Sequence, residues 1–237
     1  MSTNLRVGAA TADITPPVGY ALGGYGDRTG VSVRLHAPLR AQVLVADDGL
    51  RPVAIAACDL LFATFDLTRL VREAVSAALG WQADQVMVTA SHTHSGPAAL
   101  TLAQDPAYVE QVAARIAGAI AEAARDARPA SLRYAETTLT SVSQNRRDPD
   151  GPIETTARIL AATAGREPIT TVVSYACHAT VLEGGNLDIS PDFPGTAVDL
   201  VAGAVGGRAM YLQGCCGDIN PVWSSHDHAE AARIGSI

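Results

Sequence analysis

No lysine occurs in the 237 residues; all 17 basic side chains are arginine. That absence removes several chemistries at once. A Schiff-base lysine, a pyridoxal-phosphate site and a phosphate-loop lysine all need the ε-amine, and so does a carboxylated lysine bridging two metal ions. A basic tract is also lacking, and the net charge is −7. Nucleic acid is therefore not expected as a partner, because phosphate binding requires clustered cationic side chains. No run is long and apolar enough to span a bilayer. No apolar stretch follows Met1-Ser2-Thr3-Asn4-Leu5-Arg6, so no signal peptide is read and a cytoplasmic location is expected. Internal repeats and low-complexity linkers are missing. Cysteine is scarce: Cys58, Cys177, Cys215 and Cys216 have neither the pattern of a small secreted disulfide framework nor zinc-ribbon spacing, and reduced thiols are expected.

What is present can build a substantial core, since 48% of the residues are hydrophobic. Apolar runs alternate with helical patterns, which predicts an α/β fold of mixed, largely buried sheets flanked by helices. Strands are expected at 37–46, within the near-continuous apolar run 52–61, and at 85–90, 131–139, 156–162, 169–177 and 208–213. A helix capped by Asp66 is expected to run to Leu79 and to stop at Gly80. A second opens at Asp105-Pro106, with Val109, Val112, Ile116 and Ile120 as its buried stripe. A third spans about 193–205, and the residues from His228 onward read as a helix just begun. That last pattern suits the front part of a longer domain, with no second domain in 1–237.

Three strand ends carry the chemistry. The first is Ser91-His92-Thr93-His94-Ser95-Gly96-Pro97. In α/β sheets ligands gather at the carboxyl ends of strands, and imidazoles at i and i+2 point the same way if the strand continues. One can then bind a metal while the other hydrogen-bonds a substrate. The second is Tyr175-Ala176-Cys177-His178, again an apolar strand ending in histidine. Alone such a histidine is more often structural; beside His92 it becomes a second ligand for zinc, which neutral imidazole suits. The third is Gln213-Gly214-Cys215-Cys216-Gly217-Asp218-Ile219-Asn220-Pro221. Here Asp218 and Asn220 are candidate polar groups, an ordinary tight turn is the plainer alternative, and the adjacent cysteines read as small packing residues. Arg146, in Asn145-Arg146-Arg147-Asp148, could hold an oxyanion or remain a solvated loop charge. Gly24 and Tyr25, in Gly23-Gly24-Tyr25-Gly26, form a loop that faces substrate if a site forms nearby. His36 is expected to be structural, at the end of the sheet opposite the site if the strands are parallel. His226 and His228 are expected to be exposed.

Taken in order, these segments resemble the neutral/alkaline non-lysosomal ceramidase family over essentially the whole chain. The resemblance runs from Gly8-Ala9-Ala10-Thr11-Ala12-Asp13-Ile14-Thr15-Pro16-Pro17 through the glycine loop at 24–26, the run 92–97, Asn145-Arg146 and His178 to Gly217-Asp218-Ile219-Asn220-Pro221. It implies a zinc ion held by His92 and His178, with His94 and Arg146 in the catalytic pocket, acting on the amide of N-acylsphingosine. It also implies a Glu and a Tyr ligand from a later part of the domain. One departure stands out: the family places a serine important for activity where this chain has Asn220, and an amide cannot replace a hydroxyl as nucleophile or proton relay. The expectation is a zinc-dependent hydrolase of a small amide or lipid substrate. In it His94, Arg146 and Asp218 take catalytic roles, Asp218 as proton carrier, and Gly24, Tyr25 and Asn220 contact substrate. Two alternatives stay open: another metal-dependent amidohydrolase, and a related protein that binds a lipid or amide without turnover.

Overall fold

The computed structural model describes residues 4–237; Met1–Thr3, part of the segment read for a leader, lie outside the described residues. The strands are β1 (Arg6–Asp13), β2 (Arg34–Leu35), β3 (Arg40–Asp47), β4 (Val53–Cys58), β5 (Val86–Ala90), β6 (Arg128–Pro129), β7 (Ser131–Thr138), β8 (Ser143–Asn145), β9 (Thr156–Ala164), β10 (Glu167–Tyr175), β11 (Asp188–Ile189), β12 (Arg208–Gln213) and β13 (Ile219–Pro221). The helices are α1 (Phe65–Leu79), α2 (Pro106–Arg125), α3 (Phe193–Val205) and α4 (His228–Gly235).

Two mixed sheets form, in the orders β5-β4-β3-β1-β6 and β12-β10-β9-β7. They pack face to face through a hydrophobic middle layer in which Val7, Leu44 and Ala57 of the first sheet meet Ala162, Ile169, Val172 and Met210 of the second. The outer face of the first sheet is covered by α1 and α2, and that of the second by α3 and α4. The result is four layers, helix–sheet–sheet–helix, as the predicted mixture of buried sheets and flanking helices requires.

Local chemistry explains most boundaries. Asp105 caps α2 by accepting from Tyr108 N at 3.0 Å, with Pro106 in the first turn. Val109, Val112, Ile116 and Ile120 are all buried, as their spacing predicts. α1 begins before Asp66: Thr64 is the cap, its Oγ1 accepting from Leu67 N at 3.3 Å. Asp66 turns instead to Leu102 N, at 2.9 Å. β1 went unpredicted because its Ala- and Gly-rich sequence has weak strand propensity. Gly8 explains the composition, since a Cβ there would lie 1.9 Å from the Ala123 carbonyl oxygen of α2. Only a glycine lets that helix lie so close to the strand. β3 runs antiparallel to β4, so its start lies at the same edge as the ends of β4 and β5. His36 is therefore not at the opposite end of the sheet. Among the described residues, no helix is long and apolar enough to cross a membrane.

Candidate functional site

The candidate residues gather where strands of both sheets end. β4 and β5 are parallel and finish with Cys58 opposite Ala90; β10 and β12 are parallel and finish with Tyr175 opposite Gln213. Each pair releases its chain into loops that cross the seam. His94 N donates to Ala179 O at 3.3 Å and His178 N to Ile219 O at 2.9 Å. Carboxyl ends of adjacent parallel strands are where backbone groups and side chains can converge on a ligand.

The strand does not continue through His92-Thr93-His94, contrary to the simple i, i+2 expectation. β5 stops at Ala90, and His92 adopts φ +64°, the left-handed region that few non-glycine residues enter, histidine more often than most. Three backbone hydrogen bonds around the turn stabilise it: Ser91 N to Cys58 O at 2.8 Å, His92 N to Leu60 O at 3.0 Å and Gly23 N to Gly96 O at 2.9 Å. A non-glycine residue held there is strain of the kind that clusters at functional sites. The turn still brings both imidazoles together, at 4.9 Å between ring centres and 86° between planes. The His178 ring lies 4.9 Å from His92 and 5.8 Å from His94.

The ring nitrogens are unequally committed. His92 Nδ1 lies 2.8 Å from Leu61 O, so its proton belongs on Nδ1 and the Nε2 lone pair faces the cluster. His94 Nδ1 and His178 Nδ1 are buried without a hydrogen-bond partner in the protein. Burial, then repulsion from His92, His178, Arg28 and Arg146, lowers the His94 pKa to about 3, which keeps the imidazole neutral at ordinary pH. Burial likewise lowers that of His178, with His92 and Arg146 adding to the effect. One donor atom each from His92, His178 and Cys216 lie within 4.8 Å of one another, a candidate metal-binding triad. Cys216 was expected only to fill space; the turn after β12 carries it to the two imidazoles instead. Cys215, its neighbour, is exposed.

The remaining candidates surround this cluster. A Cβ on Gly24, whose φ is +98°, would lie 2.3 Å from His94 Cγ, so the glycine packs directly on the ring. Tyr25 meets His94 edge-on at 4.9 Å and donates to Leu182 O at 3.1 Å; burial raises its pKa to about 12. Arg146 is exposed and donates to Gly217 O at 2.7 Å. Asp218 Oδ2 accepts from Asn145 Nδ2 at 3.1 Å, and its carbonyl accepts from Arg146 N at 2.8 Å, beside the short antiparallel pair of β8 and β13. Asn220 Oδ1 is buried without a partner in the protein. Leu61, Phe62, Val88, His92, Gln213 and Cys216 are among the residues lining an open cleft of about 360 Å³.

Arg28 had no signal beyond its place between glycines, yet it organises the loop. It donates to Gly23 O and His94 O at 2.8 and 2.7 Å and stacks over Tyr25 at 4.9 Å. His226 is exposed as expected. His228 is not. It stacks on His36 at 3.5 Å and pairs with Asp188 at 2.8 Å, because α4 folds back over the loop leading into β3.

The family model described as neutral/alkaline non-lysosomal ceramidase, N-terminal, matches residues 5–213. A solved structure described as a ceramidase complexed with C2 is similar at a TM-score of 0.88 and 21% identity, over 99% of this chain and 42% of that one. The crystal structure of neutral ceramidase from Pseudomonas aeruginosa gives 0.86 and 21%, over 100% of this chain and 44% of that one. The chain thus spans less than half the length of these proteins. No curated protein matches.

Proposed function

Because the chain belongs to the neutral/alkaline non-lysosomal ceramidase family, we propose that it carries part of a zinc-dependent hydrolase acting on N-acyl amides, with ceramide-type lipids as the substrate class. The observation that carries this reading is the convergence of the His92 and His178 imidazoles from the ends of two different sheets, 4.9 Å apart. The donor set fits zinc. Imidazole nitrogens are preferred ligands, and His92 has the ring-to-carbonyl hydrogen bond, here to Leu61 O, that commonly orients a ligating histidine. A zinc ion bound there supplies Lewis acidity toward water and an amide carbonyl.

The chain's own residues account for the rest. His94 stays neutral and is fixed between Gly24, Tyr25 and the Arg28 bond to its carbonyl. It is assigned to hydrogen-bonding the amide as the carbonyl carbon becomes tetrahedral. Arg146 provides fixed positive charge for the developing oxyanion, and one such donor is typically worth about 3 kcal/mol. Asp218 secures the Arg146 loop through Oδ2, which leaves its other carboxylate oxygen for proton transfer. Gly24 and Tyr25 shape the wall of the pocket, and Asn220 offers its amide to the head group. The cleft beside Phe62 and Leu61 suits an apolar chain.

The test is metal analysis combined with release of fatty acid from N-acylsphingosine and shorter N-acyl amides, on the protein carrying this chain. About one zinc per chain, lost with activity in His92→Ala and His178→Ala, is expected. Full hydrolysis by a metal-free sample would overturn the reading. A second reading, binding without turnover, is favoured by Asn220, which has no hydroxyl to act as nucleophile or proton relay. Zinc-loaded protein that binds lipid vesicles and cleaves none of these amides would select it.

A further inference from the structure

Resting on the zinc reading above, we infer that Asp192 is a positioning residue, whose buried side chain and amide tie the loop that follows His178 to the turn that carries His94 and so hold both imidazoles in place. Three observations carry it. First, the backbone of Asp192 is strained. Its φ of +58° with ψ of −156° lies in a region occupied almost only by glycine. Glycine would stand there without strain, so what aspartate adds is its carboxylate. Secondly, that carboxylate is fully engaged. Asp192 is 3% exposed. Its Oδ1 accepts from Phe193 N at 2.7 Å, at the start of α3, and its Oδ2 from Leu182 N at 3.0 Å. Burial pushes its pKa up to about 6 and the Leu182, Phe193 and Val181 amides pull it down, so it remains an ionised acceptor at neutral pH. Capping a helix needs only bonds within its first turn; the bond to Leu182 closes residues 182–192 into a loop. Thirdly, both ends of that loop reach the histidines. Leu182 follows closely on His178 in the chain, and its carbonyl accepts from the Tyr25 hydroxyl, whose ring meets His94 edge-on. At the other end Asp192 N donates to Ser190 Oγ at 3.1 Å. Ser190 brackets His94: its N–H donates to Ser95 O at 3.0 Å, and its carbonyl accepts from Thr93 Oγ1 at 2.8 Å. Thr93 and Ser95 are fully buried, where such bonds are strongest.

The direct backbone link between the two histidine segments, His94 N to Ala179 O, is long at 3.3 Å, and Asp192 supplies the firmer anchor behind it. The two substitutions at this position separate its tasks. Asparagine caps a helix about as well as aspartate, so Asp192→Asn keeps the bond at the start of α3. Its second atom is a donor and meets the Leu182 N–H as donor against donor, so the loop bond is lost. Glycine loses both bonds and relieves the backbone. Residues that orient metal ligands without binding the metal typically contribute about 10- to 100-fold to its affinity.

Histidine ring resonances report the rings without relying on activity. They are recorded on the metal-free and zinc-loaded protein carrying this chain, with zinc affinity measured by competition against a chelating dye, for wild type, Asp192→Asn, Asp192→Gly, Ser190→Ala and Asp105→Ala. Both Asp192 variants are expected to move the His94 and His178 resonances and to weaken zinc binding by about tenfold or more. Ser190→Ala cuts only the link from the Asp192 amide and is expected to move His94 while leaving His178 in place. Asp105→Ala removes the cap of α2, which has no bond to either histidine loop, and is expected to lower stability with both rings unmoved. Folded Asp192→Asn with both rings and the zinc affinity unchanged overturns the assignment and leaves Asp192 as a helix cap alone. If neither Asp192 variant folds, Ser190→Ala decides, and an unmoved His94 overturns the assignment. Wild-type protein that binds no zinc overturns the zinc reading instead, and the metal-free resonances still decide the role of Asp192.

Discussion

Replacing Gly24 with alanine tests how tightly the pocket fixes His94. The added Cβ would sit 2.3 Å from Cγ, 2.4 Å from Nδ1 and 2.7 Å from Cβ of His94. Ordinary contact begins at 3.4 Å, so the ring or the loop must retreat by about 1.1 Å. Neither has room to do so. His94 is 8% exposed, its backbone is bonded to Ala179 and Arg28, and Tyr25 closes its edge. The backbone adds its own resistance, because φ +98° is a region that alanine enters only under strain, about 1–3 kcal/mol. Overpacking contributes a similar amount, about 1–3 kcal/mol. Gly24→Ala should therefore lower the free energy of unfolding by about 2–5 kcal/mol, read by urea denaturation. It should also shift the His94 ring resonances more than those of His178. Misplacing a reacting group by that distance lowers turnover by on the order of 100-fold. A variant within about 0.5 kcal/mol of wild type, with unchanged His94 resonances, would refute the close packing on which the placement of His94 depends.

Other positions probe the scaffold. Asp59 is 3% exposed, and burial raises its pKa to about 7 despite the Arg40 amide bonded to it at 2.9 Å. Between the unfolded value near 4 and about 7 the folded state holds a proton that the unfolded chain has released, so Asp59 weakens stability as pH rises through that window. The melting temperature of Asp59→Asn minus that of wild type should climb from pH 4 to pH 7 and then level off; a flat difference removes the assignment. Ile116→Ala empties a fully buried position under the first sheet and should cost about 2–5 kcal/mol in chemical denaturation. Gly8→Ala drives a methyl into the Ala123 carbonyl and should cost about 3 kcal/mol or more. Wild-type stability in Gly8→Ala would mean that α2 does not lie against β1.

Much of the fold could be read along the sequence where local signals and burial agree. The cap and stripe of α2 are an example: Asp105, Pro106 and the run from Val109 to Ile120 express one periodicity with one start signal. The bounds of α3 and β12 were similarly legible. Strand direction was not, because alternation of apolar residues is the same for parallel and antiparallel neighbours; that is why the place of His36 depended on whether the strands are parallel. β1 was hidden because its small residues serve the helix packed on it rather than strand propensity. At the site, His92 and His178 announce themselves as histidines at the ends of apolar runs. Cys216 and Arg28 do not, since their importance comes from turns that bring distant segments together. Nor could the left-handed His92 be foreseen from a stretch that reads as extended.

The seam between the sheets has a consequence for variation far from the cluster. His92 rides on one sheet and His178 on the other, and their separation depends in part on the hydrophobic layer between the sheets, which includes Ala57, Ala162, Val172 and Met210. Enlarging one of these side chains tilts two rigid plates against each other, and tilt is magnified toward the rim. Hidden substitutions in that middle layer should thus retune the gap between the imidazoles while leaving every residue around them unaltered.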